Sequence, residues 1–273
     1  VILDLVLIGG LRFGVGAAAF ATIVSQILSA VLCIRKLRRE PEAFRLSFRE
    51  LRMNGNMLRL IVVNGIPAGI QNSIIAVANV FVQSNINQFG ALAMAGCGSY
   101  SKIEGFGFIP VTCFSQALTT FIGQNLGAKE YDRAKKGAAF GIVCSMTLAE
   151  LVGVIVYMLI PYLAAAFDSS AEVVGFATRQ AHVEALFYCF LAFSHCIAGI
   201  MRGAGKSAVP MFVMLVSWCI IRITYITITV HFIPKIQVIF WAYPLTWSIS
   251  SIIFLVYFLK ADWIHNFERA EQR

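Results

Sequence analysis

The sequence predicts an all-α polytopic membrane protein, and three observations lead to that fold class. Hydrophobic residues make up 59% of the 273 residues and charged residues only 13%, whereas soluble domains carry about 25% charged residues. The mean hydropathy is +0.77. Seven apolar runs reach the roughly 20 residues that a membrane-spanning helix needs, and they lie near 14–34, 60–86, 91–122, 138–163, 181–201, 208–230 and 239–259.

The first 36 residues are predicted to hold a partial helix and one complete span. A short apolar piece, 1–11, is typical of the end of a further span, and the chain begins with Val1 rather than Met. No charged n-region of a signal peptide precedes the apolar residues. We therefore expect this chain to be a fragment that lacks an N-terminal part.

A cytoplasmic linker is predicted over 37–58, where basic residues replace the apolar run. Its pattern FRLSFRELRMNGNMLRLI sets apolar side chains on one side and arginines on the other, which is typical of an interfacial amphipathic helix. The linker joins two helices to six. We therefore expect 59–260 to form a six-helix C-terminal lobe and 261–273 to form a cytoplasmic tail.

Lysine and arginine collect in alternate loops. Seventeen of them lie in 35–59, 129–137, 201–207 and 260–273, whereas the other loops contain only Arg12, Arg179 and Lys235. The positive-inside rule therefore predicts a multi-pass protein of the cell membrane with its C-terminus in the cytoplasm. The formal charge of +8 is then explained by topology and by anionic lipid headgroups, not by nucleic acid.

Two glycine- and base-rich stretches lie on the predicted cytoplasmic side. Glycines permit sharp turns and close helix approach, and we expect Arg202 and Lys206 to bind headgroups. A structural turn is the simpler interpretation, and direct substrate contact is the alternative. The residues concerned are Gly123, Gln124, Asn125 and Gly127 in TTFIGQNLGAKEYDRAKKG, and Arg202, Gly203 and Gly205 in IMRGAGKSAVP. GAGKS is not a phosphate loop, because Ile200 stands where that motif needs its first glycine.

Charged side chains inside the predicted spans are the main candidates for a site. Each costs about 2.5–3.5 kcal/mol at mid-span and usually faces a cavity or a partner. In KIEGFGFIP, Lys102 and Glu104 point roughly 200° apart on a helix, so they cannot pair with each other. We expect Glu104 to face a cavity, where it would exchange protons or attract a cation, and Lys102 to pair with Glu150. The alternative is a structural pair between Glu104 and Arg222.

Neutral polar residues follow one face of the span near 60–86. Asn72, Asn79 and Gln83 fall within about 40° of one another, and Gln71 lies at the edge of this stripe. Such a stripe is either a helix–helix contact or a cavity wall. In the span near 181–201, His195 is interpreted as an interhelical hydrogen-bonding group. His182 and Glu184, at the outer end of that span, are expected to be solvated.

Aromatic side chains are assigned to two roles. Some lie near helix ends and suit an interfacial belt, whereas others would stack on flat cations or simply meet lipid and core. The belt candidates are Trp241, Tyr243, Trp247 and Trp263, and the stacking candidates are Phe106, Phe108, Trp218 and Tyr225.

The combination of motifs resembles multidrug and toxic compound extrusion (MATE) transporters, over nearly the whole chain. The motifs are GVGAAAFATIVSQ, GIPAGIQNSI, QSNINQFG, KIEGFGFIP, FIGQNLGAKEYDRAKKG and MRGAGKSAVPMF. The resemblance implies twelve helices in two six-helix lobes around a central cavity, of which this chain would hold the end of the first lobe and all of the second. It also implies a protein that is monomeric when complete and that exports organic, often cationic, drug-like compounds in exchange for protons or sodium ions.

One departure from the family concerns sodium coupling. Sodium-coupled members carry one carboxylate deep in the seventh helix and another in the tenth. The matching positions here hold Ile75 and Leu191 or their neighbours. This departure from the family disfavours coupling through the sodium site of those members.

The sequence leaves three alternatives to an exporter. A flippase for lipid-linked oligosaccharides would need a more basic cavity than Lys102 and Arg222 provide. A non-transporting sensor or scaffold is the second alternative. An intramembrane enzyme is disfavoured, because the sequence has neither a carboxylate cluster for magnesium nor an HExxH motif. The seven cysteines lack metal-ligand spacing, and no cofactor beyond the coupling ion is expected.

Overall fold

The computed structural model of the chain describes residues 15–39, 52–261 and 263, together with residues 3, 6 and 7. Within this part the chain is helical and contains no β-strand. Seven helices are long and apolar enough to cross a membrane, so the predicted fold class is confirmed. The predicted partial helix over 1–11, most of the amphipathic linker and most of the tail lie outside the described residues.

The helices follow one another through short turns, and two of the spans change helix type along their length. One span consists of α5, a 3-10 turn at Ala185–Phe187 and α6; another consists of α7, a π-helical segment at Leu215–Ile221 and α8. The helices are α1 Val15–Leu37, α2 Gly55–Asn87, α3 Ala91–Gly127, α4 Tyr131–Ala165, α5 Ala171–Glu184, α6 Tyr188–Gly203, α7 Ala208–Met214, α8 Arg222–Phe232 and α9 Ile236–Lys260.

The chain divides into two compact units, Val1–Leu58 and Arg59–Arg273. In the first unit, α1 ends in Arg35 and Lys36, which suits the negative end of a helix dipole. The second unit contains the other six spans. The division of the chain into lobes, linker and tail at 36, 58 and 260 stays a prediction.

Glycines let α3 and α6 approach each other backbone to backbone. A Cβ at Gly199 would lie 2.4 Å from the carbonyl oxygen of Ser115, and one at Gly203 would lie 2.5 Å from that of Thr119. The Thr119 hydroxyl donates a hydrogen bond to the carbonyl oxygen of Gly199 at 3.0 Å. Small residues at this seam provide the close packing on which helix association in membranes depends.

A buried serine cluster joins α6, the π-helical segment and α9. The Ser194 hydroxyl lies 2.9 Å from that of Ser250 and 3.0 Å from that of Ser251. The indole of Trp218 donates to the Ser250 hydroxyl at 3.1 Å. These bonds between helices fix Trp218, whose ring forms part of the site described below.

Candidate functional site: a charged cavity within the spans

A cavity of ≈ 350 Å³ lies within the second unit, and α2, α3, α5, α6, α8 and α9 contribute to its wall together with the π-helical segment. Its surface combines one carboxylate, one guanidinium, one imidazole, three amides and several aromatic rings. These groups belong to Glu104, Arg222, His195, Asn79, Gln83, Gln180, Phe108, Trp218, Tyr243 and Trp247. We call this space the central cavity.

Arg222 is the positive charge of the central cavity, and its side chain is only 1% exposed. Its Nε and Nη2 atoms donate to the Thr246 hydroxyl at 3.2 and 2.7 Å. The guanidinium carbon lies 4.5 Å from the centre of the Tyr243 ring and 5.4 Å from that of Trp218. A neutral oxygen and two aromatic faces therefore hold the guanidinium in place.

The π-helical segment brings Trp218 and Arg222 to the cavity on successive turns. The segment ends at Ile221, directly before Arg222. Such interruptions of an α-helix are rare and occur frequently at functional sites. Here the interruption lies where a span delivers its one buried charge.

Glu104 is the negative charge of the central cavity, and its side chain is partly exposed on the cavity wall. It forms no direct ion pair with Arg222 among the residues described, although both side chains line the same space. The alternative of a structural pair that locks two helices is therefore not what the structure shows. A carboxylate at this depth needs water, a proton or a cation in the cavity to offset its desolvation.

Glu184 was expected to be solvated, and this expectation is wrong. Its side chain is 0% exposed, because its helix begins at Ala171 instead of near 181 and so places this carboxylate deep in the bundle. The Gln180 amide donates to Glu184 Oε1 at 3.0 Å. Glu184 Oε2 has no hydrogen-bond partner in the described part of the chain. Because Gln180 lines the central cavity, Glu184 lies one hydrogen bond behind its wall.

The expected pair of Lys102 with Glu150 is also absent. The Lys102 ammonium lies 5.6 Å from the centre of the ring of Phe167, which follows the end of α4. Glu150 Oε2 accepts a hydrogen bond from the backbone N–H of Cys189 at 3.1 Å, where the 3-10 turn frees backbone donors. Neither side chain lines the central cavity.

The polar stripe of α2 divides between two cavities. Asn79 and Gln83 line the central cavity, whereas Gln71 and Asn72 line a second one of ≈ 230 Å³. Gln71 is 3% exposed, and its amide contacts the Met214 sulfur at 2.9 Å. All four residues of the stripe therefore contribute to cavity walls, and Gln71 also contacts a neighbouring helix.

Arg202 turns into this second cavity, so the expectation that it binds headgroups is not met. Its Nη2 donates to the Ser115 hydroxyl at 3.0 Å and its Nη1 to Gln71 Oε1 at 3.4 Å. We call this space the Arg202 cavity. The rest of its wall comes from α2, α3 and α6: Ala68, Asn72, Ile75, Thr112, Gln116 and His195.

The other motif residues lie in the last turns of α3 and α6 and in the turn that follows α6. Gly205 has a φ of +73°, a backbone conformation that favours glycine, and the N–H of Lys206 closes the turn on the carbonyl oxygen of Met201 at 2.8 Å. After α3, the N–H of Ala128 bonds the carbonyl oxygen of Gln124, and the side chain of Asn125 bonds that of Phe121. Gly123 packs against Gly203, and Gly127 is the last residue of α3. Substrate contact at these turns stays a hypothesis.

Two of the aromatic residues assigned to an interfacial belt lie inside the bundle instead. Tyr243 and Trp247 line the central cavity, and Trp247 is 1% exposed. Trp218 and Phe108, which were expected to stack on cations, also line it. Phe106, in contrast, is 73% exposed. Whether a ring reaches the cavity depends on the face of the helix from which it projects more than on its distance from a helix end.

His195 does not form the predicted interhelical hydrogen bond through its ring. The ring makes edge contacts with Phe108 and Trp218, at centroid distances of 5.8 and 5.6 Å. Its Nε2 has no partner among the residues that the structure describes. The backbone oxygen of His195 instead accepts a bond from the Ser115 hydroxyl at 2.7 Å.

The fold defines a class of protein, that of polytopic helical membrane proteins, and charged groups line a cavity within its spans. The MatE family model matches residues 67–228. The chain therefore belongs to the MATE family, as its motifs indicate.

Individual relatives are similar over most of this chain. The probable multidrug resistance protein YoeA of Bacillus subtilis is 23% identical over 94% of the chain and 56% of its own length. The probable multidrug resistance protein NorM of Thermotoga maritima is 24% identical over 92% of the chain and 54% of its own length. An outward-facing structure of a multidrug resistance MATE family transporter matches with a TM-score of 0.86 at 19% identity, over 98% of this chain and 60% of that one.

The chain thus spans about half the length of the curated relatives that it matches. What the cavities show is therefore the part of a site that this chain supplies. The activity of a whole transporter is a matter for the proposal that follows.

Proposed function

We propose that this chain forms the end of the N-terminal lobe and the C-terminal lobe of a secondary active multidrug exporter of the cell membrane. The exporter takes organic cations and other drug-like molecules from the cytoplasmic side and exchanges them for protons or sodium ions. Its two lobes alternate the access of one site between the two sides of the membrane. The basic loops and the C-terminus lie in the cytoplasm, and the complete protein is a monomer.

The observation that carries this proposal is Glu104, a carboxylate on the wall of a cavity that also presents aromatic rings. A carboxylate attracts an organic cation, and aromatic faces bind it through their quadrupoles. The same carboxylate can hold the coupling proton or contact a sodium ion. Substrate and coupling ion then compete for one group, which is the simplest basis for antiport.

Arg222 supports this role because its charge is already satisfied. Thr246, Tyr243 and Trp218 surround its guanidinium. It therefore tunes the potential of the cavity without neutralising Glu104 by direct contact. The relatives described above are named as multidrug resistance proteins, which supports drug-like molecules as the substrate class.

The test uses the full-length protein in proteoliposomes, with ethidium as a fluorescent cationic probe and an imposed gradient of either protons or sodium. Glu104→Gln removes the negative charge of the central cavity and keeps the side-chain shape. Glu172→Gln is the matched control, because Glu172 lies exposed in the first turn of α5. We expect gradient-driven ethidium movement in the wild type and the control and at least tenfold less in Glu104→Gln, since about 1.4 kcal/mol of lost interaction corresponds to tenfold.

The remaining outcomes of the ethidium assay test the role of Glu104, the coupling ion and the exporter function itself. Equal transport by Glu104→Gln and wild type would remove Glu104 from the binding and coupling machinery. The gradient that drives ethidium identifies the coupling ion. Movement under neither gradient would contradict the exporter and favour a lipid-linked oligosaccharide flippase, or a sensor or scaffold if ethidium still binds.

A further inference from the structure

The central cavity and the Arg202 cavity meet at one polar side chain. Their walls share two residues, Ile75 and His195. Ile75 has no group that can donate or accept a hydrogen bond. Of the two residues shared by the walls, His195 is therefore the one whose side chain can take part in a hydrogen-bonded connection between the two spaces.

The ring of His195 is held by contacts that leave a nitrogen free. Phe108 and Trp218 contact it edge to face from α3 and from the π-helical segment. The backbone of His195 is fixed by the Ser115 hydroxyl. Yet Nε2 is buried and has no partner in the described residues. Most buried polar atoms in proteins are hydrogen-bonded, so a buried imidazole nitrogen without a partner between two cavities needs an explanation.

Both cavities have polar groups in their walls and are large enough for water. Their volumes are ≈ 350 and ≈ 230 Å³, compared with about 30 Å³ for one water molecule in the liquid. Amides of Gln71, Asn72 and Gln116 line the smaller space, and Asn79, Gln83 and Gln180 line the larger one. Each cavity therefore offers water several hydrogen-bonding partners.

We propose that His195 relays protons between these two cavities, so that the six-span unit carries its own proton path from Glu104 to the end of α6 near Arg202. This inference rests on the proposed exporter function and specifies how its coupling proton travels. The path follows the contact of α3 with α6, and the imidazole of His195 belongs to the walls of both cavities.

The relay conserves protons at every step. The neutral ring accepts a proton at one nitrogen from water in one cavity and releases the proton of its other nitrogen to water in the other cavity. The ring is then neutral again, in the opposite tautomer. Reorientation of the ring or return of a proton restores the first tautomer.

The charged and titratable groups around His195 come from α3, α5, α6, α8 and α9, whereas α2 contributes amides and the π-helical segment contributes Trp218. Glu104 faces it from α3, and Glu184 lies behind Gln180 on α5. Arg222 and Tyr243 lie across the central cavity on α8 and α9, and Arg202 lies two turns along α6 itself. Because guanidinium groups stand in both cavities, a lasting positive charge on His195 would be repelled. A transient relay suits this position better than a stored proton.

The experiment separates proton passage from substrate movement in the full-length protein. Ethidium counterflow, which exchanges internal for external ethidium without a gradient, measures binding and alternating access. Ethidium movement driven by a pH gradient requires protons to pass as well. Both are measured for wild type, for His195→Gln and His195→Asn, and for the control His182→Gln, whose exposed ring stacks on Tyr157.

We expect pH-driven movement in both His195 variants to fall at least tenfold more than counterflow does. His182→Gln is expected to retain both activities. A third variant, His195→Ala, is measured with imidazole in the buffer, which should restore pH-driven movement by replacing the missing ring. A merely structural histidine would not show this rescue.

Several results would overturn the relay. These are undiminished pH-driven movement in the His195 variants, equal loss of both activities without imidazole rescue, and wild-type movement driven by sodium but not by protons. In the sodium case the exporter function stands and the relay alone fails. If the wild type shows neither counterflow nor driven movement, the exporter function itself fails, and the relay falls with it.

Discussion

Arg222 donates two hydrogen bonds to the hydroxyl of Thr246, at 3.2 and 2.7 Å. This bond joins α8 to α9 and satisfies a guanidinium that is only 1% exposed. The Thr246 hydroxyl in turn donates to the carbonyl oxygen of Ala242 at 2.8 Å. A single hydroxyl thus connects a buried charge to a helix backbone.

Thr246→Val should therefore destabilise the protein more than its small change in shape suggests. The substitution keeps the volume and removes the acceptor, which leaves buried donors of a charged group unpaired at a cost of about 1–3 kcal/mol or more. Thermal unfolding in detergent checks this, with Thr246→Ser as the control that keeps the hydroxyl. Equal melting temperatures for the two variants would show that the bond does not stabilise Arg222.

For Glu184 we predict a substitution that stabilises the protein, whereas Thr246→Val destabilises it. Its carboxylate is fully buried, and one of its oxygens has no partner among the described residues. Burying a charge without full compensation is expensive, so the neutral, isosteric Glu184→Gln is expected to raise the melting temperature. Glu184→Ala should lower it, because a void forms and the Gln180 amide loses its acceptor. A Glu184→Gln protein less stable than Glu184→Ala would contradict this account.

The seam between α3 and α6 can be tested with one added methyl group. A Cβ at Gly199 would lie 2.4 Å from the Ser115 carbonyl oxygen, which belongs to backbone and cannot move away easily. Gly199→Ala is therefore expected to destabilise the bundle by several kcal/mol, beyond the 1–3 kcal/mol typical of overpacking.

The control for this seam is Gly98→Ala in α3, where nothing lies within 4 Å of the added Cβ. There the better helix propensity of alanine should add up to about 1 kcal/mol of stability. Chemical unfolding of both variants gives the two free energies. A Gly199→Ala protein as stable as Gly98→Ala would mean that the helices separate without cost.

The spans were predictable because a helix in a membrane must be long and apolar, and these two properties can be counted in a sequence. The 3.6-residue periodicity of a helix also predicts which side chains share a face. Glu104 shares a face with Phe108, and the structure places both on the wall of one cavity. The role of Glu104 nevertheless stays a prediction, since position alone does not show what a carboxylate binds.

Other parts of the site could not be predicted, and the physical reasons differ. The helix α5 begins with the mixed sequence AEVVGFATRQ, whose polar residues lowered its hydropathy, so Glu184 was placed near a helix end. In the structure it lies 13 residues after Ala171, about 20 Å along the helix. The small residues Val173, Ala177 and Ala181 on its face were the available signal for burial.

The π-helical segment changes the phase of its span, and no periodicity fixed in advance could place Arg222 relative to Glu104.

Lys102 provides the final prediction, because the structure separates it from the charged cavity to which the sequence assigned it. Its side chain is exposed, and its ammonium lies 5.6 Å from the centre of the Phe167 ring. A cation–π contact at an exposed site contributes about 0.5–1 kcal/mol. Lys102→Gln is therefore expected to change the melting temperature only slightly and to leave ethidium transport within about twofold of wild type, in contrast to Glu104→Gln, two residues away.

The measurement is the same proteoliposome assay, with Phe167→Leu as a companion that removes the ring and keeps the lysine. If Lys102→Gln lost as much transport as Glu104→Gln while Phe167→Leu did not, Lys102 would belong to the substrate or ion pathway after all, through contacts made in another state of the transport cycle.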